Sequence, residues 1–259
     1  MSTIIFEIKD GIATIKLNRP KVYNSINTEL ARAFQQSLDE VANNENVRAV
    51  IITGTGKAFC TGQDIKEITD PKLNPGFRII LEKHYAPIVR KIRNLKQPVI
   101  AAVNGVAAGA GANIALACDI ILATEKASFI QAFSGIGLIP DSAGTYTLPR
   151  LIGRAKASAI AMLGDRVSAK EAERIGMIYK YFEAENFENE VQKIADKLAH
   201  MPTKALALTK RAFNASETNT FDEQLDLETE LQLAASETKD YQEGVTAFIE
   251  KRKPLFKGK

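Results

Sequence analysis

Hydrophobic and polar positions follow two alternating patterns along the first 185 residues of the chain. Apolar and polar residues alternate at positions 3–20 around Asp10-Gly11, which predicts a β-hairpin. Apolar residues recur at helical spacing over 27–44, where Asn27 or Thr28 is the expected N-cap. Short apolar runs typical of buried strands lie at 47–56, 98–105, 120–125 and 127–131. Strands that alternate with helices indicate an α/β fold.

Two further helical segments of this part contain a proline. Residues 77–95 have the spacing of an amphipathic helix, with a bend expected at Pro87 because proline has no N–H to donate. Residues 145–164 are also mostly helical in pattern.

From Phe187 onward the pattern is helical throughout. Residues 220–252 predict two amphipathic helices, with Ser236 or Thr238 as the cap between them. We therefore expect an α/β core at 1–186 and a C-terminal helical region at 187–259. This helical region is expected to pack either on a core of its own or on a neighbouring subunit.

Composition and charge exclude several classes of function. The 259 residues are 45% hydrophobic and 25% charged, an ordinary balance for a globular protein, and the net charge of +3 is too small and dispersed to indicate nucleic-acid binding. Neither the two cysteines nor the two histidines have the spacing of a metal site, so no metal is expected. The first residues do not form a signal peptide, and no apolar run is long enough for a membrane span, so we expect a cytoplasmic protein without membrane partners.

Two glycine-rich turns each follow a predicted buried strand. They read GKAFCTGQDI at 56–65 and VNGVAAGAGANIALACD at 103–119. Small residues let a ligand approach the backbone closely, and free amides at the start of a helix attract anions. Each turn alone also fits a structural role: the first as a strand–helix turn capped by Asp64, the second as close helix packing.

A lone carboxylate, Asp141, lies in the apolar stretch GIGLIPDSAGTYTLPR at 135–150. One interpretation is an N-cap for the helix that begins near Thr145, although Gly144 stands where a capping box needs Glu or Gln. The other is a general base, because apolar surroundings raise the pKa of a carboxyl group. The stretch alone leaves both interpretations open.

These three motifs in this order resemble those of the enoyl-CoA hydratase/isomerase (crotonase) superfamily. The resemblance covers essentially the whole chain and includes LNRPKVYNSIN at 17–27 and EGVTAFIEKRKPLFKGK at 243–259. It implies an α/β fold built as a crotonase-type spiral of ββα turns, with a C-terminal helical trimerisation region. Homotrimers, or dimers of trimers, are implied with it.

The resemblance also assigns a site for an acyl-CoA. Two backbone amides, those of Gln63 and Ala110, would form the oxyanion hole that holds the thioester oxygen. Coenzyme A would enter as part of the substrate, and no separate cofactor is implied. Contacts with the substrate or its CoA are assigned to Lys21, Val22, Ala58, Gly62, Asp64, Ile65, Gly109, Phe133, Phe248 and Lys251, with the terminal segment acting within the chain or on a neighbouring subunit.

The acid–base residues separate branches of the superfamily. The hydratase branch uses two glutamates, whose positions are occupied here by Asn113 and Phe133. Hydration needs both a base and an acid, so efficient hydratase activity is not expected. Asp141 matches an acid found in isomerases, dihydroxynaphthoyl-CoA synthases and 4-chlorobenzoyl-CoA dehalogenases.

The strongest resemblance is to members that isomerise the ring epoxide of 1,2-epoxyphenylacetyl-CoA to an oxepin. We therefore expect an acyl-CoA isomerase of that substrate, of a Δ3,Δ2-enoyl-CoA, or of both, with Asp141 as the single acid–base residue. A hydratase, a synthase, a dehalogenase and a non-catalytic partner remain alternatives. A hydratase of the same superfamily is a candidate physical partner.

Overall fold

The computed structural model describes residues 2–259. Its strands are β1 (Ile4–Lys9), β2 (Ile12–Leu17), β3 (Ala49–Gly54), β4 (Ala58–Cys60), β5 (Val99–Val103), β6 (Val106–Ala108), β7 (Ile120–Thr124), β8 (Ser128–Ile130), β9 (Arg166–Ser168) and β10 (Lys180–Phe182). Its helices are α1 (Thr28–Asn43), α2 (Ile65–Thr69), α3 (Phe77–Ile79), α4 (Ala86–Asn94), α5 (Ala110–Leu116), α6 (Gly144–Leu163), α7 (Ala169–Arg174), α8 (Phe187–Ala199), α9 (Thr203–Ser216), α10 (Phe221–Ser236) and α11 (Lys239–Ile249).

The larger sheet has six strands in the order β1-β2-β3-β5-β7-β10. Strands β1 and β2 form the predicted hairpin, and both turn residues, Asp10 and Gly11, have the positive φ that such two-residue turns require. The remaining neighbours in this sheet are parallel. Asn27 caps α1 by accepting a hydrogen bond from the Leu30 amide, which confirms one of the two expected caps.

A smaller sheet of four strands, β4-β6-β8-β9, lies beside the larger one. Each of β3, β5 and β7 in the larger sheet is followed at once by β4, β6 or β8 in the smaller sheet, and helices come after these pairs. This repeat of two strands and a helical segment is the expected spiral of ββα turns.

The smaller sheet brings the three motifs to one edge. Strands β4, β6 and β8 are parallel, so their carboxyl ends lie on the same side. The segments that leave these ends are 61–65, 109–110 and 131–141, which contain the two glycine-rich turns and Asp141. Ligands commonly bind where the carboxyl ends of parallel strands meet.

The main core lies between the sheets and the helices around them and contains the buried rings of Phe34, Phe59 and Phe129. A second apolar layer forms where α8 covers the larger sheet, with Phe187 and Val191 in the same buried cluster as strand residues. Each fully buried large apolar side chain contributes roughly 1.5–3 kcal/mol relative to exposure. These layers give the loops at the sheet edge a rigid support.

Helices α9, α10 and α11 follow α8 at the end of the chain. Thr238, one of the two expected caps, accepts a hydrogen bond from the Tyr241 amide at the start of α11. The division of the chain at residue 187 into two domains stays a prediction. Within residues 2–259, no helix combines the length and the apolar character needed to cross a membrane.

Candidate active site

The two glycine-rich turns are in direct contact. A Cβ at position 62 would lie 3.3 Å from the backbone nitrogen of Ala110 and 3.2 Å from the carbonyl oxygen of Ala108. Gly62 also has a φ angle of +84°, a backbone conformation that residues other than glycine rarely adopt. The first turn can therefore approach the start of α5 this closely only because residue 62 is glycine.

Gln63 and Ala110 present backbone N–H groups that donate no hydrogen bond within the described chain. The backbone around them is fixed. Ile26 donates to the Gly62 carbonyl at 2.7 Å and accepts from the Asp64 amide at 2.9 Å, and the Gly109 amide donates to Ile130 at 2.9 Å. Two rigidly framed donors in adjacent segments can stabilise an oxygen that gains negative charge, each by roughly 3 kcal/mol in comparable sites.

Gly111 explains why small residues are needed in the second turn. A Cβ on Gly111 would lie 2.2 Å from the Cys60 carbonyl oxygen, so the start of α5 packs directly on the backbone of β4. Close packing and ligand access are therefore compatible roles of the same turn. Gly109 lies beside Phe133, whose ring would be 3.8 Å from a Cβ at position 109.

Asp141 lies half-buried at the same edge. Burial raises the pKa of its carboxyl group to about 6, and a hydrogen bond at 2.9 Å from the Ser142 hydroxyl acts in the opposite direction. Its backbone carbonyl accepts hydrogen bonds from the Gly144 amide at 2.7 Å and from the Asn113 side chain at 2.8 Å. The loop therefore holds an ionisable group whose protonation changes near neutral pH.

The interpretation of Asp141 as a helix cap is wrong. Helix α6 begins at Gly144 with Ala143 as its N-cap, and no side chain caps it. Ser142 and Ala143 both have positive φ, +50° and +64°, a conformation that non-glycine residues rarely adopt. This turn brings only the backbone carbonyl of Asp141 to the first amide of the helix and leaves the carboxylate free of it.

The two positions that carry glutamates in hydratases have other roles here. Asn113 is fully buried; its side-chain nitrogen donates to the Asp141 carbonyl, and its oxygen accepts from Gln131 at 2.7 Å. Phe133 is buried and supplies a hydrocarbon surface next to Gly109. Asn113 thus braces the Asp141 loop, and neither position supplies an acid.

The structure adds a chain of polar side chains that sequence reasoning missed. The Tyr85 hydroxyl donates to the Gln63 side-chain oxygen at 2.6 Å, and the Gln63 side-chain nitrogen donates to Glu67 at 2.9 Å. Glu67 also accepts from the amide and the hydroxyl of Thr28, both at 2.8 Å. Burial, followed by the negative charge of Asp141, raises the pKa of Tyr85. No local pattern marks Tyr85 and Thr28 as members of this chain, because they lie 22 and 39 positions from their partners Gln63 and Glu67.

Tyr85 ends an irregular segment of helix. A π-helical turn at Ile80–Tyr85 connects α3 to α4, and Pro87 lies in the first turn of α4. Pro87 has no N–H for the Lys83 carbonyl, and the Gln35 side chain donates to that carbonyl instead at 2.8 Å. The expected irregularity at Pro87 therefore appears just before it, as the turn that carries Tyr85.

The N-terminal motif packs against the first glycine-rich turn. Arg19 forms an ion pair with Asp64 at 2.7 Å, and Asp64 also caps α2 by accepting from the Lys66 amide. The exposed turn Pro20–Val22, with Lys21 and Val22, lies beside Gly56. The Asp64 carboxylate is therefore committed to holding this surface together.

The other predicted CoA contacts are distributed unevenly. Ala58 is fully buried and its carbonyl accepts hydrogen bonds from Asn24 and Asn104, so the single chain leaves no part of Ala58 open to a ligand, whereas Ile65 is 60% exposed. Phe248, at the end of α11, is 85% exposed, and Lys251 follows it. Within residues 2–259, neither Phe248 nor Lys251 forms a hydrogen bond or ion pair with the cleft, and their predicted role remains a prediction.

Comparison with known proteins shows which family shares this sequence. Residues 7–259 match the family model described as enoyl-CoA hydratase/isomerase. The 1,2-epoxyphenylacetyl-CoA isomerase of Escherichia coli (strain K12) is 44% identical, with 100% of each chain covered. The short-chain-enoyl-CoA hydratase of Clostridium acetobutylicum is 36% identical over 98% of this chain and 97% of its own.

A solved structure shows the same fold. The enoyl-CoA hydratase of Bacillus anthracis superposes with a TM-score of 0.92 at 33% identity, covering 99% of this chain and 100% of that one. The sequence motifs, the spiral of ββα turns and the full-length relatives all indicate the same family. The chain belongs to the enoyl-CoA hydratase/isomerase family of the crotonase superfamily.

Proposed function

We propose that this protein is an acyl-CoA isomerase in which Asp141 is the single acid–base group. The observation that carries the proposal is the half-buried Asp141 carboxyl group, with its pKa raised to about 6, in a site where Asn113 and Phe133 replace the two hydratase acids. A group that is ionised at neutral pH but readily protonated suits repeated proton transfer.

The reaction on a β,γ-enoyl-CoA needs one carboxylate and one oxyanion site. Asp141 takes a proton from the α-carbon, and the electron pair of that C–H bond moves into a dienolate with negative charge on the thioester oxygen. The Gln63 and Ala110 amides stabilise this charge. Asp141 then returns the proton at the γ-carbon, the double bond lies between the α- and β-carbons, and no atom is gained or lost.

The second substrate of the proposal is the ring epoxide of 1,2-epoxyphenylacetyl-CoA. It is supported by the 44% identity to an isomerase named for this compound. The thioester would occupy the same two amides, and Asp141 would face the ring, where it either moves a proton or orients the ring for opening.

The remaining assignments concern coenzyme A and the assembly. We assign the CoA to the surface formed by the first glycine-rich turn and by Lys21 and Val22, which the Arg19–Asp64 ion pair joins together. Phe248 and Lys251 would come from a neighbouring subunit of a trimer or of a dimer of trimers. The exposure of Phe248 in the single chain supports this arrangement.

The direct test replaces Asp141 with Asn. Asp141→Asn should keep CoA binding and lose isomerisation by at least about a hundredfold, since a general base contributes about that much or more. Binding is measured by titration with a saturated acyl-CoA, and turnover by the ultraviolet absorbance of the α,β-enoyl thioester. Retained turnover in the variant would remove Asp141 from its role.

A substrate comparison tests the reaction itself. The wild-type protein is assayed side by side on 1,2-epoxyphenylacetyl-CoA, a β,γ-enoyl-CoA and an α,β-enoyl-CoA in heavy water. Isomerisation of either of the first two, with little water addition to the third, supports the proposal. Rapid hydration of the α,β-enoyl-CoA would favour a hydratase, and inactivity on all three would favour a synthase, a dehalogenase or a non-catalytic partner.

A further inference from the structure

The side chain of Gln63 is held at both of its polar ends, although the proposed function uses only its backbone. Tyr85 donates to its oxygen at 2.6 Å, and its nitrogen donates to Glu67 at 2.9 Å. Glu67 receives two further hydrogen bonds from Thr28. All donors in this chain point towards Glu67, so the direction of every hydrogen bond is fixed.

The chain lies inside the protein. Tyr85 is 2% exposed and Glu67 is 7% exposed, so water cannot replace a lost partner at little cost. Loss of the Tyr85 hydroxyl would leave the Gln63 side-chain oxygen without its donor. The Gln63 segment would then keep the backbone hydrogen bonds of Ile26 and the side-chain hydrogen bond to Glu67, but would lose its connection to the turn that carries Tyr85.

Tyr85 also lies within the electrostatic field of Asp141, whose charge is the second cause of the raised pKa of the tyrosine. The same side chain therefore contacts the segment of one proposed oxyanion donor and lies near the proposed base. It sits at the end of the π-helical turn Ile80–Tyr85, and such turns occur frequently at functional sites.

We propose that Tyr85 is a positioning residue that, through the Gln63 side chain, fixes the Gln63 amide at the thioester oxygen. This inference rests on the proposed function, because it assigns Tyr85 to the oxyanion site of that reaction. Tyr85 touches neither the thioester nor the transferred proton.

The test uses Tyr85→Phe, which keeps the ring and removes the hydroxyl. The probe is hexanoyl-CoA labelled with ¹³C at the thioester carbonyl, and the readout is the carbonyl stretching frequency in the infrared. Hydrogen bonds from the oxyanion amides lower this frequency in the wild-type complex. Tyr85→Phe should lose at least about half of that shift and lower kcat at least about tenfold, with KM changed little, because the interaction matters most for the charged transition state.

Two further variants make the test specific. Tyr179→Phe removes a hydroxyl from an exposed tyrosine outside the site and should leave shift, kcat and KM unchanged. Gln63→Met keeps the backbone N–H and loses both side-chain hydrogen bonds, so it should reproduce the effect of Tyr85→Phe. Both substitutions remove the same hydrogen bond between the Tyr85 and Gln63 side chains. The double variant should therefore have a carbonyl shift and a kcat close to those of either single variant.

The outcomes separate the two proposals. No carbonyl shift in the wild-type complex would overturn the proposed oxyanion site, and this inference with it. A wild-type shift that stays complete in Tyr85→Phe, with an unaltered kcat, would overturn this inference alone. Additive losses in the double variant would also overturn it, because Tyr85 would then act by a route other than Gln63.

Discussion

The carboxylate of Asp141 lies where its charge is unfavourable. Burial raises its pKa to about 6, and the next two residues adopt left-handed conformations that cost of order 1–3 kcal/mol each in a non-glycine residue. Asn113 braces the loop by a hydrogen bond to the Asp141 carbonyl. A loop that is costly in both charge and backbone conformation is typical of functional sites, where stability is exchanged for activity.

Asp141→Asn is expected to raise the free energy of unfolding at pH 8 by about 1–3 kcal/mol. The folded-state pKa, about 6, exceeds the ordinary value of 3.8, so ionisation penalises the folded state. This penalty is complete above pH 6 and disappears below pH 3.8. Urea unfolding at pH 8 and at pH 3.5 measures it, and the two proteins should be equally stable at the lower pH. Destabilisation at pH 8 would show that the carboxylate has a structural role.

The rate of isomerisation should follow the ionisation of Asp141. We expect kcat/KM to fall about tenfold per pH unit below about pH 6, because only the ionised carboxylate accepts a proton. Ser142→Ala should move this fall to higher pH, since the Ser142 hydroxyl donates to the carboxylate and lowers its pKa. The measurement is a pH–rate profile of both proteins. A fall near pH 4, or one that Ser142→Ala does not move, contradicts the assignment.

At the scale of elements, the smaller sheet determines where the site forms. Strands β4 and β6 each have three residues, too few for a period of two to be visible in the sequence. The longer elements had clear signals, such as the turn at Asp10-Gly11 and the cap at Asn27, and these predictions were confirmed. The motifs were therefore visible from the sequence, and so was β8 within the apolar run at 127–131, while β4 and β6 were not.

The candidate site was predictable to a similar degree. The contact between the Gly62 and Ala110 segments agrees with what the family resemblance implied for the two motifs. The connection of Tyr85 to Gln63 and Glu67 could not be predicted, because it depends on a π-helical turn and on tertiary packing. The cap interpretation of Asp141 failed because two consecutive positive φ angles, which no local rule predicts for Ser and Ala, turn its carboxylate away from the helix.

Gly111→Ala should disrupt the junction between β4 and α5. The new methyl group would lie 2.2 Å from the Cys60 carbonyl oxygen, so backbone must move. We expect a loss of about 1–3 kcal/mol in unfolding free energy, as for overpacked cores, together with a large loss of activity. Gly135→Ala is the matched control, because nothing lies within 4 Å of a Cβ there. Equal effects of the two substitutions in urea unfolding would contradict this account.

At the scale of the whole molecule, the C-terminal helices leave many apolar side chains uncovered. The most exposed large apolar residues on α9, α10 and α11 are Phe213, Phe221, Leu233, Phe248 and Ile249. Contiguous exposed apolar surface is characteristic of protein interfaces. The family resemblance implies a trimer or a dimer of trimers, and the exposed apolar side chains are consistent with such an assembly, so we expect a particle of three or six times the 28.3 kDa chain mass, which sedimentation equilibrium measures. A monomer at micromolar concentration would contradict this prediction.

Lys251→Glu should weaken the binding of CoA and raise KM, because the lysine is assigned to the phosphate-rich cofactor portion of the substrate. Lys204→Glu makes the same change of charge on an exposed part of α9 and should leave KM unaltered. Steady-state kinetics on a β,γ-enoyl-CoA at constant ionic strength compare the two variants, since exposed charges are screened by salt. Equal KM values in both variants would remove Lys251 from the CoA site.

Co-expression of Asp141→Asn with Lys251→Glu then decides which subunit supplies the lysine. If each site combines Asp141 of one subunit with Lys251 of its neighbour, random mixing in a cyclic trimer makes about a quarter of the sites fully wild type. Activity at low substrate should then exceed the mean of the two separate variants. If both residues act within one chain, every site carries one defect and mixing gives no gain. Recovery of activity would thus show that the site is completed only in the assembly, which explains why Phe248 and Lys251 have no polar contacts with the cleft in the single chain.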